Sequence, residues 1–245
     1  MKQNRALFLF RLFLAVLLLT LSVIGLRTLF RALGPVMASA EPVPQPERGF
    51  TVILDPGHGG MDGGAVSVTG RAEKGLNLSV ALRVRDLLEA AGADVILTRT
   101  GDTMPDAEEA GMSAKMNDLI FRARVMEQHP EAVFVSIHMN KFPDASCRGA
   151  QVWYAAGEAS KTLAEALRES VLSLQPDNRR TCREADSSIW LLTHAAVPAV
   201  LIECGFLSNE EEAARLEDGA YQTRLALAIA RGILRCRPEK VQYES

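Results

Sequence analysis

Three apolar runs in this chain each lead into a side chain that can bind a metal or move a proton. Thr51-Val52-Ile53-Leu54 runs into Asp55-Pro56-Gly57 and then His58. Ala132 to Ile137 runs into His138, and Pro198 to Ile202 runs into Glu203. A fourth candidate, Glu73, stands where a helical pattern begins. Two imidazoles and one carboxylate, with a fourth position left for water, are the ligand set of a catalytic zinc. A second carboxylate can then act as general base and later as acid to a leaving amine. That division puts Glu73 on the metal and Glu203 on the proton. Spacing alone does not compel it. No HExxH motif is present, and the separations from His58 to Glu73 and from Glu73 to His138 are 15 and 65 residues. The plainer reading makes each side chain a polar loop residue that caps or hydrogen-bonds. Asp55 before Pro-Gly is a turn former, or else a partner that orients His58. His129, before Pro130, reads as a capping or surface histidine, and His194, in a Thr-His-Ala-Ala turn, as structural.

Strands and helices must alternate for these groups to meet. Leu76, Val80, Leu82, Val84, Leu87 and Leu88 recur at helical spacing, and Gly92 stops them, so Lys74 to Ala91 reads as a helix with Glu73 at or before its first turn. Ala93 to Leu97 is the next strand, ending in Thr98-Arg99. Residues 101–114 read as a loop, Lys115 to Gln128 as a helix, and Ala132 to Ile137 as a strand. Gly149 to Tyr154 is a shorter strand, Glu158 to Leu174 an amphipathic helix, and residues 175–187 a charged loop. Ser188 to Leu192 has the pattern of a short strand. Pro198 to Ile202 is the last strong strand, and helices follow over Asn209 to Leu216 and Gly219 to Cys236. Continuous apolar strands alternating with helices indicate an α/β domain, a mostly parallel sheet with helices on both faces. In such sheets ligands gather at the C-terminal ends of the strands, where His58, His138 and Glu203 fall.

Charge narrows the partners. Residues 1–40 hold Lys2, Arg5, Arg11, Arg27 and Arg31 and no acid. The remaining 22 of 27 Lys and Arg face all 30 acids, a net −8. A body this acidic lacks the phosphate-neutralising surface of a nucleic-acid binder. The basic N-terminus precedes 15 uncharged residues, Leu12 to Leu26, long for a cleaved signal core and short for a span unless Arg11 snorkels. Ala38-Ser39-Ala40 resembles a signal-peptidase site, set far downstream. Export follows on either reading, and an uncleaved membrane anchor fits better. The expected organisation is a signal or anchor over 1–33, a Pro-rich linker over 34–49, one catalytic domain over 50–237 and a polar tail over 238–245. Cys147, Cys182, Cys204 and Cys236 show no CxxC spacing, so three full pairings stay open. Cys204, in an apolar run, reads as a packed thiol.

Taken together, the motifs Val52-Ile-Leu-Asp-Pro-Gly-His58-Gly-Gly-Met-Asp-Gly-Gly64, Glu73-Lys74, Thr98-Arg99, Ser136-Ile-His138-Met-Asn140 and Ile202-Glu203-Cys-Gly-Phe-Leu-Ser-Asn209 resemble the zinc-dependent N-acetylmuramoyl-L-alanine amidases of the AmiC/LytC type. The resemblance covers about residues 50–236. It implies zinc held by His58, Glu73 and His138, with Glu203 as the catalytic glutamate. It implies a three-layer αβα sandwich around a mixed sheet, and hydrolysis of the amide between muramic acid and the L-alanine of a peptidoglycan stem peptide. Gly149-Ala150-Gln151, the short N-terminal apolar segment, the lack of a wall-binding repeat and the Gly232-Ile-Leu-Arg235 ending are most similar to the spore-cortex, germination-specific members. Those members prepare cortex peptidoglycan for muramic-δ-lactam formation. Cys204 departs from the aliphatic residue usual there. The segment from Asp144 to Gly149 is too short for the helix that plugs some members, so an open site is expected unless residues 101–114 fold over it. Two other readings keep the fold: a silent wall-binding homologue, and a zinc peptidase cutting within the stem peptide.

Overall fold

A computed structural model describes residues 50–237 and, in the N-terminal segment, Leu18, Thr20 and Ser22. The expected anchor, linker and tail otherwise lie outside the described residues. Contacts divide the chain into Met1–Pro42 and Val43–Ser245, and the fold belongs to the second unit. Among the described residues no helix is long and apolar enough to cross a membrane.

Among the described residues from Phe50 onward, six strands and six helices follow one another: β1 (Thr51–Pro56), α1 (Glu73–Ala90), β2 (Asp94–Leu97), α2 (Ala114–Gln128), β3 (Val133–Asn140), β4 (Gln151–Tyr154), α3 (Glu158–Leu172), β5 (Arg183–Glu184), α4 (Trp190–Thr193), β6 (Ala199–Phe206), α5 (Glu210–Glu217) and α6 (Gly219–Leu234). They build one sheet in the order β2-β1-β3-β6-β4-β5. Every neighbouring pair is parallel except β4 with β6. The expected mostly parallel, mixed sheet is therefore present.

Apolar side chains on both faces explain why the central strands are continuously hydrophobic. One face, through Val52, Leu54, Val135, Ile137, Val200 and Ile202, packs on α1, α3 and α6. The other, through Ile53, Phe134, Ala199 and Leu201, packs on α2 and α4. Alternation puts His138 and Glu203 on this second face, each two residues along from a neighbour of the same side.

Two expectations are corrected. Ser188 to Leu192 is no strand: Trp190–Thr193 forms a single helical turn whose Leu191 and Leu192 fill the second core. Two buried leucines followed by an exposed Thr193 suit a turn over a core better than a ladder. The short strand of this region is Arg183–Glu184, inside the expected loop. His138 and Glu203 also do not lie past their strands. β3 runs on to Asn140 and β6 to Phe206, because the parallel ladder between them continues, with an irregularity between His138 and Asn140. His138 and Glu203 are thereby direct partners in the ladder.

Candidate metal centre

β1 ends at Pro56, and the next three residues turn sharply. His58 has φ +60, a left-handed conformation that is uncommon away from glycine. Such strain persists only where the surroundings enforce it. Two guanidinium groups do so here. Arg99 donates from Nε to the Pro56 carbonyl at 2.9 Å and from Nη2 to the Gly57 carbonyl at 2.9 Å. Arg122 donates from Nη1 to the Pro56 carbonyl at 3.1 Å and from Nη2 to the His58 carbonyl at 3.1 Å. Three successive carbonyls are thus pinned. Gly57 is required for a second reason: a Cβ there would lie 2.1 Å from the His138 ring.

The loop then delivers His58 to Glu73, the first residue of α1. His58 Nε2 stands 3.3 Å from Glu73 Oε2, and His138 Nδ1 stands 3.0 Å from Glu73 Oε1. The two rings meet edge to face, 4.9 Å between centroids. Glu73 is itself held tightly. Its Oε1 accepts from Asn77 Nδ2 and from the Met139 amide, both at 3.1 Å, and its Oε2 accepts from the Ala65 amide at 2.8 Å. Gly64 must be glycine-like here, because a Cβ would come within 2.6 Å of Glu73 Oε2 and 2.7 Å of the His58 ring.

One donor atom from each of His58, Glu73 and His138 lies within 4.8 Å of the others, a group able to hold a metal ion. The donor chemistry fits zinc. Bonds of about 2.0–2.1 Å in a tetrahedron put neighbouring ligand atoms roughly 3.3 Å apart, and each histidine nitrogen lies 3.0–3.3 Å from one of the two Glu73 oxygens. Asp62 supports the fit. Its Oδ2 lies 2.9 Å from His58 Nδ1, which holds a proton on Nδ1 and leaves Nε2 as the nitrogen a metal would take. Burial disfavours the His58 charge, but the bonds and charges of Glu73 and Asp62 outweigh it and raise its pKa to about 9. Burial likewise works against ionised Glu73, and the two histidines reverse it, holding its carboxyl well below the usual range.

Glu203 stands beside this group without joining it. As the ladder partner of His138 it shares the strand edge, yet its Oε2 is buried with no hydrogen-bond partner among the described residues. Burial above all, opposed by His138 and His58 and aided by Glu73, pushes its pKa up to about 7. A carboxyl so placed can take and return a proton near neutral pH.

Asp55 does not orient His58. It is fully buried and turned the other way, accepting from Thr98 Oγ1 and Ser136 Oγ, each at 2.6 Å, and pairing with Arg122. Burial opposes its charge, but Arg122, Ser136 and Thr98 prevail and lower its pKa. Arg122 also pairs with Asp118 at 2.8 Å. Arg122→Met should therefore strand Asp55 and free the loop carbonyls, with a loss of about 3–5 kcal/mol. Urea unfolding of the metal-free chain measures it, and an unchanged midpoint would contradict the account.

The supports Asp62, Asn77, Arg99 and Arg122 have no role in the sequence reading. The available signal was a charge in an apolar stripe: Asp118 and Arg122, four apart, sit on the buried side of α2. The other two histidines lie outside the three-donor group. His129 closes α2, its amide donating to the Met126 carbonyl, and His194 stacks on Trp190 at 4.1 Å. Residues 102–104 pack against Gly59 and Gly60, where Asp102 accepts from the Gly60 amide and pairs with Lys74. The His58 and His138 side chains keep 19% exposure each, which leaves solvent a route to both rings. All four cysteines are free thiols, and Cys204 is packed in the core as expected.

Comparison with known proteins converges on one family. The family model described as N-acetylmuramoyl-L-alanine amidase matches residues 52–235. A germination-specific N-acetylmuramoyl-L-alanine amidase of Bacillus subtilis is 37% identical over 205 residues, 82% of this chain and 86% of that one. Among solved structures, the CwlD amidase of Clostridioides difficile, in complex with the GerS lipoprotein, superposes with a TM-score of 0.72 at 38% identity, over 76% of this chain and 98% of that one. The catalytic domain of CwlV from Bacillus (Paenibacillus) polymyxa var. colistinus gives 0.66 at 33% identity, over 76% and 97%.

Proposed function

The chain belongs to the N-acetylmuramoyl-L-alanine amidase family, and from that premise we propose that it hydrolyses the muramyl–L-alanine amide of peptidoglycan with one zinc held by His58, Glu73 and His138 and with Glu203 moving the proton. One observation carries the reading: a buried, unpartnered Glu203 Oε2 lies on the strand edge beside a three-donor group. Zinc held by His58, Glu73 and His138 would supply an acidified water and a polarised amide carbonyl. Glu203 Oε2 takes the proton of the attacking water and returns it to the nitrogen of the departing L-alanine. Water attacks, the C–N bond breaks, and a lactyl carboxylate and a free amine result. Asp62 fixes the His58 tautomer, while Arg99, Arg122 and Asn77 hold the loop so that nothing need reorganise during the step.

The germination-specific relative supports spore-cortex peptidoglycan as the substrate. The freed lactyl carboxyl is what a muramic lactam needs once a separate deacetylase has exposed the amine. The work is extracytoplasmic, with the basic and apolar N-terminus as anchor. The lipoprotein-bound relative supports an accessory protein here as well.

Digestion of purified peptidoglycan by the zinc-loaded chain should expose new amino termini that are L-alanine alone. Termini from within the stem peptide would support the peptidase reading, and none at all would support a silent binder.

Proton and metal compete for His58. In the metal-free chain His58 stays protonated up to about pH 9, and zinc must expel that proton. Zinc affinity should therefore rise about tenfold per pH unit as the pH climbs toward 9, then level off. Competition titration against a chelator at several pH values measures this, and a flat profile would contradict it.

A further inference from the structure

A second concave feature lies along the same strand edge. A cavity of 510 Å³ is lined by Arg148, Arg179, Arg180 and Arg183 together with Gln151 and one acid, Asp177. Among the described residues none of the four arginines has a carboxylate partner. Arg179 donates only to the Pro176 carbonyl, and Arg180 donates to the Arg148 carbonyl and lies over the Phe206 ring at 4.6 Å. Unpaired arginines facing one hollow, on a body whose net charge is −8, are not a generic solvated face.

The strand register ties this hollow to the metal centre. His138 pairs with Glu203, and Glu203 pairs with Gln151, so three residues line up across β3, β6 and β4. Gln151 then reaches one strand further, its Nε2 donating to the Thr181 carbonyl at 2.7 Å. The wall is fixed rather than loose. Asn178 donates to the Ala150 carbonyl at 2.8 Å, and the Ala150 amide donates to Gln175 at 2.7 Å. At about 4.8 Å per strand the step from β6 to β5 is roughly 10 Å, which is the length of about three extended residues.

We infer that the arginine-lined hollow is a subsite for the carboxylates of the stem peptide beyond L-alanine. Planar guanidinium forks match carboxylates in two-bond geometry. The anion they would meet belongs to the part of the substrate that leaves with the amine, so the contact selects and positions the peptide rather than touching the broken bond. Asp177 opposes a fully anionic guest, and it leaves room for a chain that also bears an amine. The inference rests on the amidase reading for its ligand.

The test compares the zinc-loaded full chain with Arg148→Gln/Arg183→Gln on two muramyl tripeptides, one with free stem carboxylates and one with them converted to amides. On the free acid the double variant should raise KM about tenfold, with kcat changing far less, and added salt should raise the wild-type KM in the same direction. On the amidated compound the variant and the wild type should share one KM. Equal KM values on the free acid, or the same rise on both compounds, would overturn the subsite. Calorimetric binding of the free-acid tripeptide to Glu203→Gln, with and without the arginine changes, gives the readout without turnover. Binding that needs the arginines while wild type cleaves neither compound would refute the amidase reading and keep the subsite. Tight binding of an anionic wall polymer at the arginines, with no effect on the tripeptide, would refute the subsite.

Discussion

Glu203→Gln should lower kcat by about 10²–10⁴-fold while the chain keeps its zinc and its fold. The substitution preserves shape and removes the atom that accepts the proton. No donor of the metal group is touched, because that group is made by His58, Glu73 and His138. Nor does folding suffer, since the lost oxygen has no hydrogen-bond partner among the described residues to strand. The sign of the pH dependence follows. A base must be ionised, so turnover rises with pH through the Glu203 pKa. That value is about 7 without metal, and a bound cation beside it lowers it, which moves the acid limb below 7. Steady-state rates with metal analysis on the same samples decide the matter. Loss of zinc in this variant would mean that the roles of Glu73 and Glu203 are exchanged.

Glu73→Gln should fail in the opposite way. It keeps the first turn of α1 but replaces an anionic donor with a neutral amide. The amide oxygen in the Oε1 place can still accept from Asn77 and the Met139 amide, but the NH2 in the Oε2 place would face the Ala65 amide donor. Changes to groups that merely support a ligand lower metal affinity about 10–100-fold, so loss of a ligand itself should exceed roughly 100-fold. Activity should vanish at trace zinc and return in part with excess zinc. No such rescue is expected for Glu203→Gln. Full zinc content in Glu73→Gln at low free metal would contradict the assignment.

Periodicity and turn chemistry made much of this molecule readable in advance. The helix expected over Lys74 to Ala91 from Leu76, Val80, Val84 and Leu88 runs from Glu73 to Ala90, and the apolar runs leading to His58, His138 and Glu203 became three adjacent central strands. What sequence could not supply was strand order and register. Nothing local states that β6 lies beside β3, or that His138 and Glu203 share a rung. The small elements also escaped. Arg183–Glu184 is too short for any period to show, and Trp190–Thr193 is a single turn set by the core beneath it. Asp55 illustrates the limit of motif reading. Its place before Pro-Gly suggested a turn or a histidine partner, yet its chemistry is a buried pair with Arg122, 67 residues away. Asp62, only four residues from His58, took the orienting role.

Crystals grown with zinc and measured at the zinc absorption edge would test the central claim most directly. The account predicts one anomalous peak in the folded domain, about 2.0–2.2 Å from a nitrogen of His58, a nitrogen of His138 and an oxygen of Glu73, with Glu203 outside bonding distance. A peak ligated by Glu203 in place of Glu73, or a loaded ion bound away from these three side chains, would contradict it.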